Sequence, residues 1–554
     1  MKVIAVLQAD LEVTPLGTRS RLADELLGVP ILQRTVRRVS LAKQIEAVYV
    51  LCPTAQHERC AAILEGTGAI ARQHDVAPSQ WAALMQPARK WSLDSWRGGI
   101  GGTTCFDEYT DASLINGLLQ SVRADAVLSV PPAAPLFDPV LADQMIEHHR
   151  ETGDDSRLTF TQAPPGLAGV LLEADLVGEL AEQGIPVGWL FSYKPDSPQK
   201  DLIFQPCCCE VPAELHYVTG RLLADTDRSV KRLASLLREH QAPDPATIGR
   251  WLSDQEATAV EPLPREVEIE LTTDDPYPDA LLRPRGRRVD PRGPIDPSIV
   301  EQVIHEIVRY DDSLLVLGGF GDPLRHPQFC EILESIRSVQ RNGRALFGLA
   351  IRTSAADLVD EHIDAMVANN VDVLDVTLDA WSPELYGQLQ SPHDPTAADL
   401  DSVIRRLDRL SELRQQCRSV RPVVVPEMTK ARDNVHELDD FHDGWLRRQG
   451  AVVISGHSHY AGQCEDRSVI CMAPSPRVAC RRIRSRFLVL ADGRVAMCDQ
   501  DFNGRHTIGR IGEQSLEEIW HGEALTHVRE AHSQGRFEPT PLCNACNEWH
   551  RPYP

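Results

Sequence analysis

Long apolar runs are missing from this sequence, and so is an excess of basic residues. No apolar stretch approaches the length of about eighteen residues that spans a bilayer, and the first apolar run, Val3–Leu7, is followed at once by Gln8 and Asp10. We read that run as a strand and not as an export signal, and predict a cytoplasmic protein with no membrane contact. Lys and Arg number 57 against 80 Asp and Glu, a net charge of −23. Because no basic patch stands out, we predict no nucleic-acid partner.

Cysteine is absent between Cys209 and Cys330 but crowded near the C-terminus. Of the fourteen cysteines, eight lie in the first 417 residues, and six follow: Cys464, Cys471, Cys480, Cys498, Cys543 and Cys546. In a reducing compartment, clustered thiols hold metal more often than they form disulfides. The C-terminal segment is therefore the first candidate for a metal site.

Alternating strand and helix patterns predict an α/β protein with three folded parts. Residues 1–240 combine short apolar strands with amphipathic helices, which predicts an α/β sheet domain, and proline pairs in residues 241–265 indicate a linker. Residues 266–460 contain six strands separated by helices, a pattern typical of a partial (β/α)6 barrel of the TIM type. Asp296 and Pro297 predict the start of one of these helices. Residues 461–554 form a small C-terminal domain. The six strand candidates are Val267–Leu271, Leu314–Gly318, Leu346–Ile351, Val373–Leu378, Pro422–Val425 and Val452–Ser455.

Cys480 and Cys498 flank a predicted hairpin. Two apolar segments surround the turn Asp492-Gly493, and a hairpin of this kind returns the chain on itself and brings the flanking cysteines together. Cys543 and Cys546 form a CxxC pair, which adds two thiols from a single turn. Four thiolates suit either zinc or an iron–sulfur cluster, so the spacing leaves both metals open.

The region around these cysteines resembles the SPASM or twitch auxiliary-cluster domain of radical SAM enzymes. Cys480 is followed after twelve residues by Gly493 and after four more by Cys498, and residues 508–511, residues 515–520 and the CxxC follow in the family's order. The chain ends before the further cysteines of a two-cluster domain, which favours the single-cluster, twitch-like form. The resemblance implies one C-terminal [4Fe-4S] cluster, and it leaves Cys464 and Cys471 as ordinary thiols. The implied ligands are Cys480, Cys498, Cys543 and Cys546.

A glycine-rich turn in the middle domain resembles the radical SAM motif that meets the methionine part of S-adenosylmethionine. Its candidate binding residues are Gly318, Gly319, Gly321 and Asp322, with Asp322 where the family has Glu. In that family the first strand leads into CxxxCxxC, whose three thiolates hold a cluster, but residues 274–281 contain no cysteine. Carboxylates are poor replacements for these soft ligands. We therefore predict a barrel without a catalytic cluster and without reductive cleavage of S-adenosylmethionine, which makes this cofactor doubtful.

The first domain resembles the Rossmann-like nucleotidyltransferase fold of sugar-activating enzymes, especially the cytidylyltransferase branch. The resemblance rests on strand 3–7, residues 16–22 and the Gly-x-Pro at residues 28–30. In that family a lysine before the Gly-x-Pro neutralises phosphate and an aspartate binds magnesium. Residues 23–25 are instead Ala-Asp-Glu, and Ala133 stands at the aspartate position. Acidic side chains repel phosphate and alanine offers magnesium no oxygen, so both key positions are altered.

Together the three parts resemble the spiro-SPASM family. Our leading hypothesis is a [4Fe-4S] protein of the SPASM class with a non-standard barrel, in which the cluster serves as an electron-transfer site or a structural clamp and meets a redox or protein partner. A competing hypothesis is a sugar-nucleotide or nucleotidyl transferase acting through the first domain, which predicts binding of a nucleotide and Mg²⁺. A third is a zinc module with four cysteine ligands that mediates protein contacts.

Overall fold

The structure is a computed structural model that describes residues 1–77, 80–93, 100–152, 156–216, 218, 220–341, 346–474 and 476–551. The chain forms two compact units, Met1–Gln255 and Glu256–Pro554. Each unit is built on a main sheet of its own. Among the described residues, no helix has both the length and the apolar character that crossing a bilayer requires.

The first unit is a mixed α/β domain. Its strands are β1 Val3–Gln8, β2 Glu25–Leu26, β3 Val29–Pro30, β4 Ala47–Pro53, β5 Ile70–His74, β6 Ala126–Ser129, β7 Leu158–Thr161, β8 Val170–Glu173 and β9 Cys208–Cys209. Its helices are α1 Ile31–Val39, α2 His57–Ile63, α3 Gln80–Trp91, α4 Ala112–Val122, α5 Pro139–Thr152, α6 Ala174–Gln183, α7 Gly188–Phe191, α8 Asp227–Glu239 and α9 Pro245–Thr258.

The main sheet of the first unit has the order β5-β4-β1-β6-β8-β7-β9. Strand β1 pairs in parallel with β4 and β6, whereas β8 runs antiparallel to β6 and β7. Strands β1 and β6 are almost wholly buried, as expected for apolar runs at the centre of a sheet covered on both faces. The predicted strands at 3–7, 47–51 and 126–130 and the predicted helix at 229–240 are confirmed to within two residues. Helix α9 occupies much of the stretch for which a linker is predicted.

The second unit contains a longer series of strands and helices. Its strands are β10 Glu266–Glu270, β11 Leu314–Gly318, β12 Gly348–Thr353, β13 Val373–Thr377, β14 Val423–Lys430, β15 Val453–Gly456, β16 Arg486–Val489, β17 Arg494–Ala496 and β18 Thr507–Arg510. Its helices are α10 Pro297–Ile307, α11 Phe329–Arg341, α12 Asp360–Ala368, α13 Pro383–Gln390, α14 Leu400–Gln416, α15 Leu438–Gln449, α16 Arg482–Ser485, α17 Leu516–Trp520, α18 Glu523–Ser533 and α19 Pro541–Asn544.

Strands β10 to β15 lie side by side in chain order, and each pairs in parallel with the next. At least one helix stands between each pair, because a parallel connection needs a crossover that carries the chain back along the sheet. The carboxyl ends of these strands therefore share one edge, where open α/β sheets bind ligands. All six predicted strands are confirmed, although β14 continues to Lys430, five residues beyond its predicted end. Asp296 caps α10 as predicted, accepting the Ser298 N–H at 2.9 Å.

The C-terminal strands extend the same sheet. Strand β16 pairs in parallel with β10, and β17 and β18 follow in antiparallel order. The predicted hairpin between β16 and β17 is confirmed, and its turn contains Gly493 at φ +81°, in the left-handed region that favours glycine. One apolar core joins side chains of the parallel sheet with Ile483, Trp520 and Cys543. The cysteine-rich segment is thus packed directly on the parallel sheet.

Candidate metal centre

The four predicted cysteine ligands gather in one place in the second unit. Cys480 precedes α16, Cys498 follows β17, Cys543 lies in α19 and Cys546 comes just after it. Electrostatic interactions connect Cys543 with the other three thiols, and Cys546 with Cys480 and Cys498. The fold thus brings the hairpin cysteines and the CxxC pair within range of each other's charge.

Burial makes these thiols difficult to ionise unless a cation compensates. Burial raises the pKa of Cys480, and burial together with the charge of Asp499 raises the pKa of Cys498. Burial and the neighbouring thiols raise the pKa of Cys543 to about 12, and burial raises the pKa of Cys546 to about 11. A bound metal reverses this balance, since it favours the thiolate over the thiol and releases the proton.

Backbone N–H groups donate hydrogen bonds to three of the four sulfurs. The donors are Arg482 and Ile483 to Cys480, Gln500 to Cys498, and Glu548 to Cys546, the last at 3.2 Å. Such hydrogen bonds favour the thiolate form and help to set the reduction potential of iron–sulfur centres. The donor set of four thiols, two of them buried and two half-buried, with N–H groups directed at three of them, therefore fits an iron–sulfur cluster.

Two arginines place positive charge beside the thiols. Arg482 forms an ion pair with Asp499 and lies 3.8 Å from Glu548. Arg477 donates a hydrogen bond of 2.6 Å to the carbonyl oxygen of Cys543. A cluster with four thiolate ligands is anionic, so nearby guanidinium groups stabilise it at this place.

Among the described residues, no three His, Cys, Asp or Glu side chains are arranged to hold a single metal ion. In a tetrahedral zinc site, bonds of about 2.3 Å place the thiolates about 3.8 Å from one another. A four-iron core is larger than one ion, and its ligands stand farther apart.

The two remaining C-terminal cysteines lie elsewhere. Cys464 is half-buried and packs beside a small apolar cluster that contains Phe320 and Phe502. Cys471 is exposed. These positions lie outside the group of four interacting thiols and make both residues suitable for control substitutions.

The glycine turn after β11 is tied to the first strand of the parallel sheet. The Gly319 N–H donates to Glu268 Oε1 at 2.9 Å, and the Phe320 N–H donates to Glu270 Oε2 at 3.1 Å. Gly319 has φ +86°, and a Cβ at this position would lie 2.5 Å from the Cβ of Glu270, so the close approach requires glycine. Two amide groups that could bind an incoming carboxylate therefore bind carboxylates of the protein.

Asp322, at the end of this turn, is also fully engaged by protein groups. Its buried carboxylate accepts the Thr353 hydroxyl at 2.8 Å, the Ser354 N–H and hydroxyl at 2.9 and 2.7 Å, and the Leu324 N–H at 3.1 Å. The structure brings Gly318, Gly319, Gly321 and Asp322 together as one turn. The Asp322 carboxylate fastens that turn to the end of β12.

An ion pair lies in the segment where the radical SAM family carries its cysteine triad. Asp275 stands 3.2 Å from Arg285 Nε, and Arg285 Nη1 donates to the carbonyl oxygen of Gly319 at 2.7 Å. Burial raises the pKa of Asp275 to about 6. The segment thus contacts the glycine turn through an arginine side chain.

Charged side chains also form a row across the parallel sheet. This charged row consists of Glu268 on β10, Arg352 on β12, Asp375 on β13, Glu427 on β14 and Arg283. Arg352 lies 3.1 Å from Glu268 and 2.9 Å from Asp375, and Arg283 lies 3.3 Å from Glu427. Gly318 on β11 leaves room for the row, since a Cβ there would stand 3.0 Å from Glu268 Oε1.

Two carboxyl groups in the charged row titrate very differently. Burial, helped by the charge of Glu427, raises the pKa of Asp375 to about 7. Burial alone would also raise the pKa of Glu427, but Arg283 and Arg352 outweigh it and hold that pKa at about 2. Near neutral pH the row can therefore keep a proton on Asp375 while Glu427 stays ionised.

Comparisons with known proteins identify the cysteine-rich segment. Residues 480–547 match the family model of SPASM, an iron–sulfur cluster-binding domain. These residues form a SPASM domain. The match includes all four gathered cysteines and ends one residue after Cys546.

Similarity to known proteins extends over stretches longer than the SPASM domain. A protein of Treponema pallidum (strain Nichols), described as uncharacterized, is 26% identical over 258 residues, which is 45% of this chain and 68% of the relative. The S-adenosyl-L-methionine-dependent 2-deoxy-scyllo-inosamine dehydrogenase of Niallia circulans is 32% identical over 85 residues, 15% of this chain and 30% of the enzyme. The crystal structure of BtrN in complex with AdoMet and 2-DOIA covers 51% of this chain and 93% of its own at 16% identity, with a TM-score of 0.34.

In the first unit, ion pairs join the side chains of the segment before the Gly-x-Pro. Arg19 donates to both carboxylate oxygens of Asp24, at 2.7 and 2.9 Å, and Arg21 lies 3.4 Å from the same group. The carboxylate of Asp24 thus pairs with both arginines, at the place where the resemblance to the nucleotidyltransferase family would put a lysine. Ala133, at the position of the family's magnesium-binding aspartate, is buried.

The charged row was not predicted from the sequence, although the sequence contains a signal for it. Strand β10 has the sequence Glu-Val-Glu-Ile-Glu, and β13 contains Asp375 between apolar residues. Central strands of parallel sheets are normally continuous apolar runs, so acids within them call for a buried cationic partner. The sequence did not reveal which arginines serve as those partners.

Proposed function

We propose that this protein is an iron–sulfur protein of the radical SAM/SPASM type with one [4Fe-4S] cluster in its SPASM domain. Cys480, Cys498, Cys543 and Cys546 would hold the cluster through their thiolates. When bound, the cluster supplies one-electron transfer or clamps the C-terminal segment. The observation that carries the proposal is that these four buried or half-buried thiols lie close together and that N–H groups are directed at three of them.

The SPASM match favours iron over zinc at this site, since the matching family binds iron–sulfur clusters. Metal analysis tests this choice. Protein purified without oxygen is expected to contain about four iron and four sulfide ions per chain. It should absorb broadly at about 400 nm until dithionite reduces it. Stoichiometric zinc with little iron would favour the alternative of a zinc site with four cysteine ligands.

We further propose that the parallel sheet of the second unit does not carry the cluster that cleaves S-adenosylmethionine. No cysteine occurs in residues 274–281. The carboxylates of Glu268 and Glu270 bind the glycine turn, and Arg285 joins residue 275 to the same turn. Two amide groups of the turn are thus engaged by carboxylates of the protein, and residue 275 offers a carboxylate paired with arginine instead of a thiolate.

Dithionite-reduced protein incubated with S-adenosylmethionine is therefore expected to release 5′-deoxyadenosine only at the background rate. Reductive cleavage needs an electron from a cluster that contacts the substrate, and the C-terminal thiols are all committed to their own centre. Chromatography of the quenched mixture measures the product. The Cys498→Ala variant is the control and should show the same background. Formation of 5′-deoxyadenosine by the intact protein above that of the variant would contradict the proposal.

A nucleotidyl-transfer activity of the first unit is not proposed. Phosphate binding needs uncompensated positive charge or free amide groups. In the loop concerned, Asp24 pairs with both Arg19 and Arg21, Arg21 also lies 3.9 Å from Asp227, and the buried Ala133 offers no ligand to magnesium. These observations favour the iron–sulfur function over the competing transferase hypothesis.

A further inference from the structure

A cavity of about 360 Å³, lined by charged and apolar side chains, lies between the charged row and the SPASM domain. Glu268, Arg283, Arg352 and Glu427 of the row line one part of it. Further lining residues are Arg482, Leu488, Asp499 and Gln500 of the SPASM domain and Glu548, which follows it directly. The volume lies in the range of small-molecule sites, which starts at roughly 300 Å³.

The cavity is connected to the four thiols through residues that serve both. The backbone N–H groups of Arg482, Gln500 and Glu548 donate to the sulfurs of Cys480, Cys498 and Cys546 respectively. The same three residues line the cavity. A molecule in the cavity would therefore touch the residues that hydrogen-bond the metal ligands.

The charges of the cavity indicate the chemistry of its occupant. Five arginines and four carboxylates line it, and ion pairs join arginine to carboxylate on both of its sides. A phosphate or carboxylate ligand would have to displace carboxylates of the protein, and an apolar ligand would leave buried charges without solvation. A hydroxyl group avoids both costs, because it accepts from a guanidinium and donates to a carboxylate at the same time.

Two of the lining residues, Arg283 and Asp499, each carry one buried polar atom that a hydroxyl group in the cavity would reach only after the side chain moves. Arg283 Nε is a donor and Asp499 Oδ1 is an acceptor, and within the described residues neither has a hydrogen-bond partner. Unsatisfied buried polar atoms are costly and uncommon in folded proteins. Phe320 and Leu488 add apolar surface against which the C–H face of a sugar-like ring can pack.

We propose that this cavity binds a small neutral polyol of about monosaccharide size, and that its occupancy shifts the reduction potential of the SPASM-domain centre. The shift in reduction potential rests on the proposed function, since it requires a bound cluster. A neutral ligand would displace water from beside an anionic centre, and lower polarity disfavours the more negative, reduced form. Polyol binding should therefore lower the reduction potential of the centre. Because the coupling is reciprocal, the polyol should also bind the reduced protein more weakly than the oxidised one.

Calorimetry on the full chain tests the binding. The probes are a panel of neutral hexoses, pentoses and inositols, with inorganic phosphate and citrate as anionic comparators. At least one polyol is expected to bind and neither anion to do so. Glu427→Gln should weaken polyol binding at least tenfold, and the milder Ser455→Ala, which removes the hydroxyl donor 2.6 Å from Glu427, should weaken it less. Binding of the anions alone, or of no probe, would overturn the proposal.

A redox titration with and without the bound polyol tests the coupling. An affinity about tenfold weaker for the reduced protein corresponds to a potential lowered by about 59 mV for one electron. An unchanged potential at saturation would refute the coupling. Polyol binding by protein that carries no iron would instead contradict the proposed function and leave the cavity assignment standing, so the two failures are distinguishable. Asp408→Ala, at an exposed ion pair with Arg448, is the matched control and should change neither measurement.

Discussion

Cys498→Ala is expected to leave the purified protein with little or no iron. Cys498 is half-buried, interacts with Cys543 and Cys546, and accepts the Gln500 N–H, so its loss removes one of the four proposed cluster ligands. The same result is expected for Cys480→Ala, Cys543→Ala and Cys546→Ala. Iron and sulfide analysis of protein purified without oxygen, together with absorbance near about 400 nm, measures the effect.

Matched controls for this prediction come from the two cysteines outside the group. Cys464→Ala and Cys471→Ala should keep the iron content of the unaltered protein, because one residue packs in a separate apolar cluster and the other is exposed. If Cys464→Ala lost iron while Cys480→Ala retained it, the ligand assignment would be wrong.

The same variants distinguish a structural clamp from a dedicated electron-transfer site. Metal binding contributes to folding free energy when the unfolded chain lacks a preformed site. A clamp predicts that loss of iron lowers the thermal midpoint and speeds proteolysis around residues 480–547, whereas an electron-transfer site held by independently stable packing predicts little change. The extensive apolar core shared by Ile483, Trp520 and the parallel sheet favours electron transfer.

Glu270→Ala is expected to destabilise the second unit by about 3–5 kcal/mol. Glu270 is fully buried and accepts hydrogen bonds from Arg292 Nε and Nη2 at 2.6 and 3.0 Å, from the Phe320 N–H and from the Ala491 N–H, both at 3.1 Å. Its removal leaves the guanidinium of Arg292 buried without its counter-charge. Hydrogen exchange of the β10 and β16 amides, measured under native conditions, reports the stability of this unit separately.

Two further variants test whether loss of the buried charge of Glu270 causes the destabilisation. Glu270→Gln keeps a hydrogen-bond acceptor but not the charge, so its destabilisation should be smaller than that of Glu270→Ala yet clear. Asp408→Ala breaks an ion pair whose two side chains are 40% and 49% exposed and should cost less than about 1 kcal/mol. A Glu270→Ala protein as stable as Asp408→Ala would disprove the account of this residue.

Local patterns explain which predictions the structure confirms. The six strands of the second unit, the Asp296 cap and the Asp492-Gly493 hairpin each depend on a few adjacent residues, whose apolar periodicity and turn chemistry are visible in the sequence. The predicted end of β14 is five residues too early because its last residues include Glu427, whose charge looks unfavourable in a strand until its ion pair with Arg283 is known.

The two candidate sites differ in how far sequence reasoning reached. That the four cysteines come together could be predicted, because metal ligation demands particular side chains at restricted spacings around a hairpin and a single turn. The charged row could not be predicted in this way, because its members lie on different strands and at residue 283. Glu268 and Arg352 meet 3.1 Å apart only because the parallel register places them on either side of Gly318. Electrostatic pairing over such separations depends on three-dimensional distance and burial, which no short stretch of sequence contains.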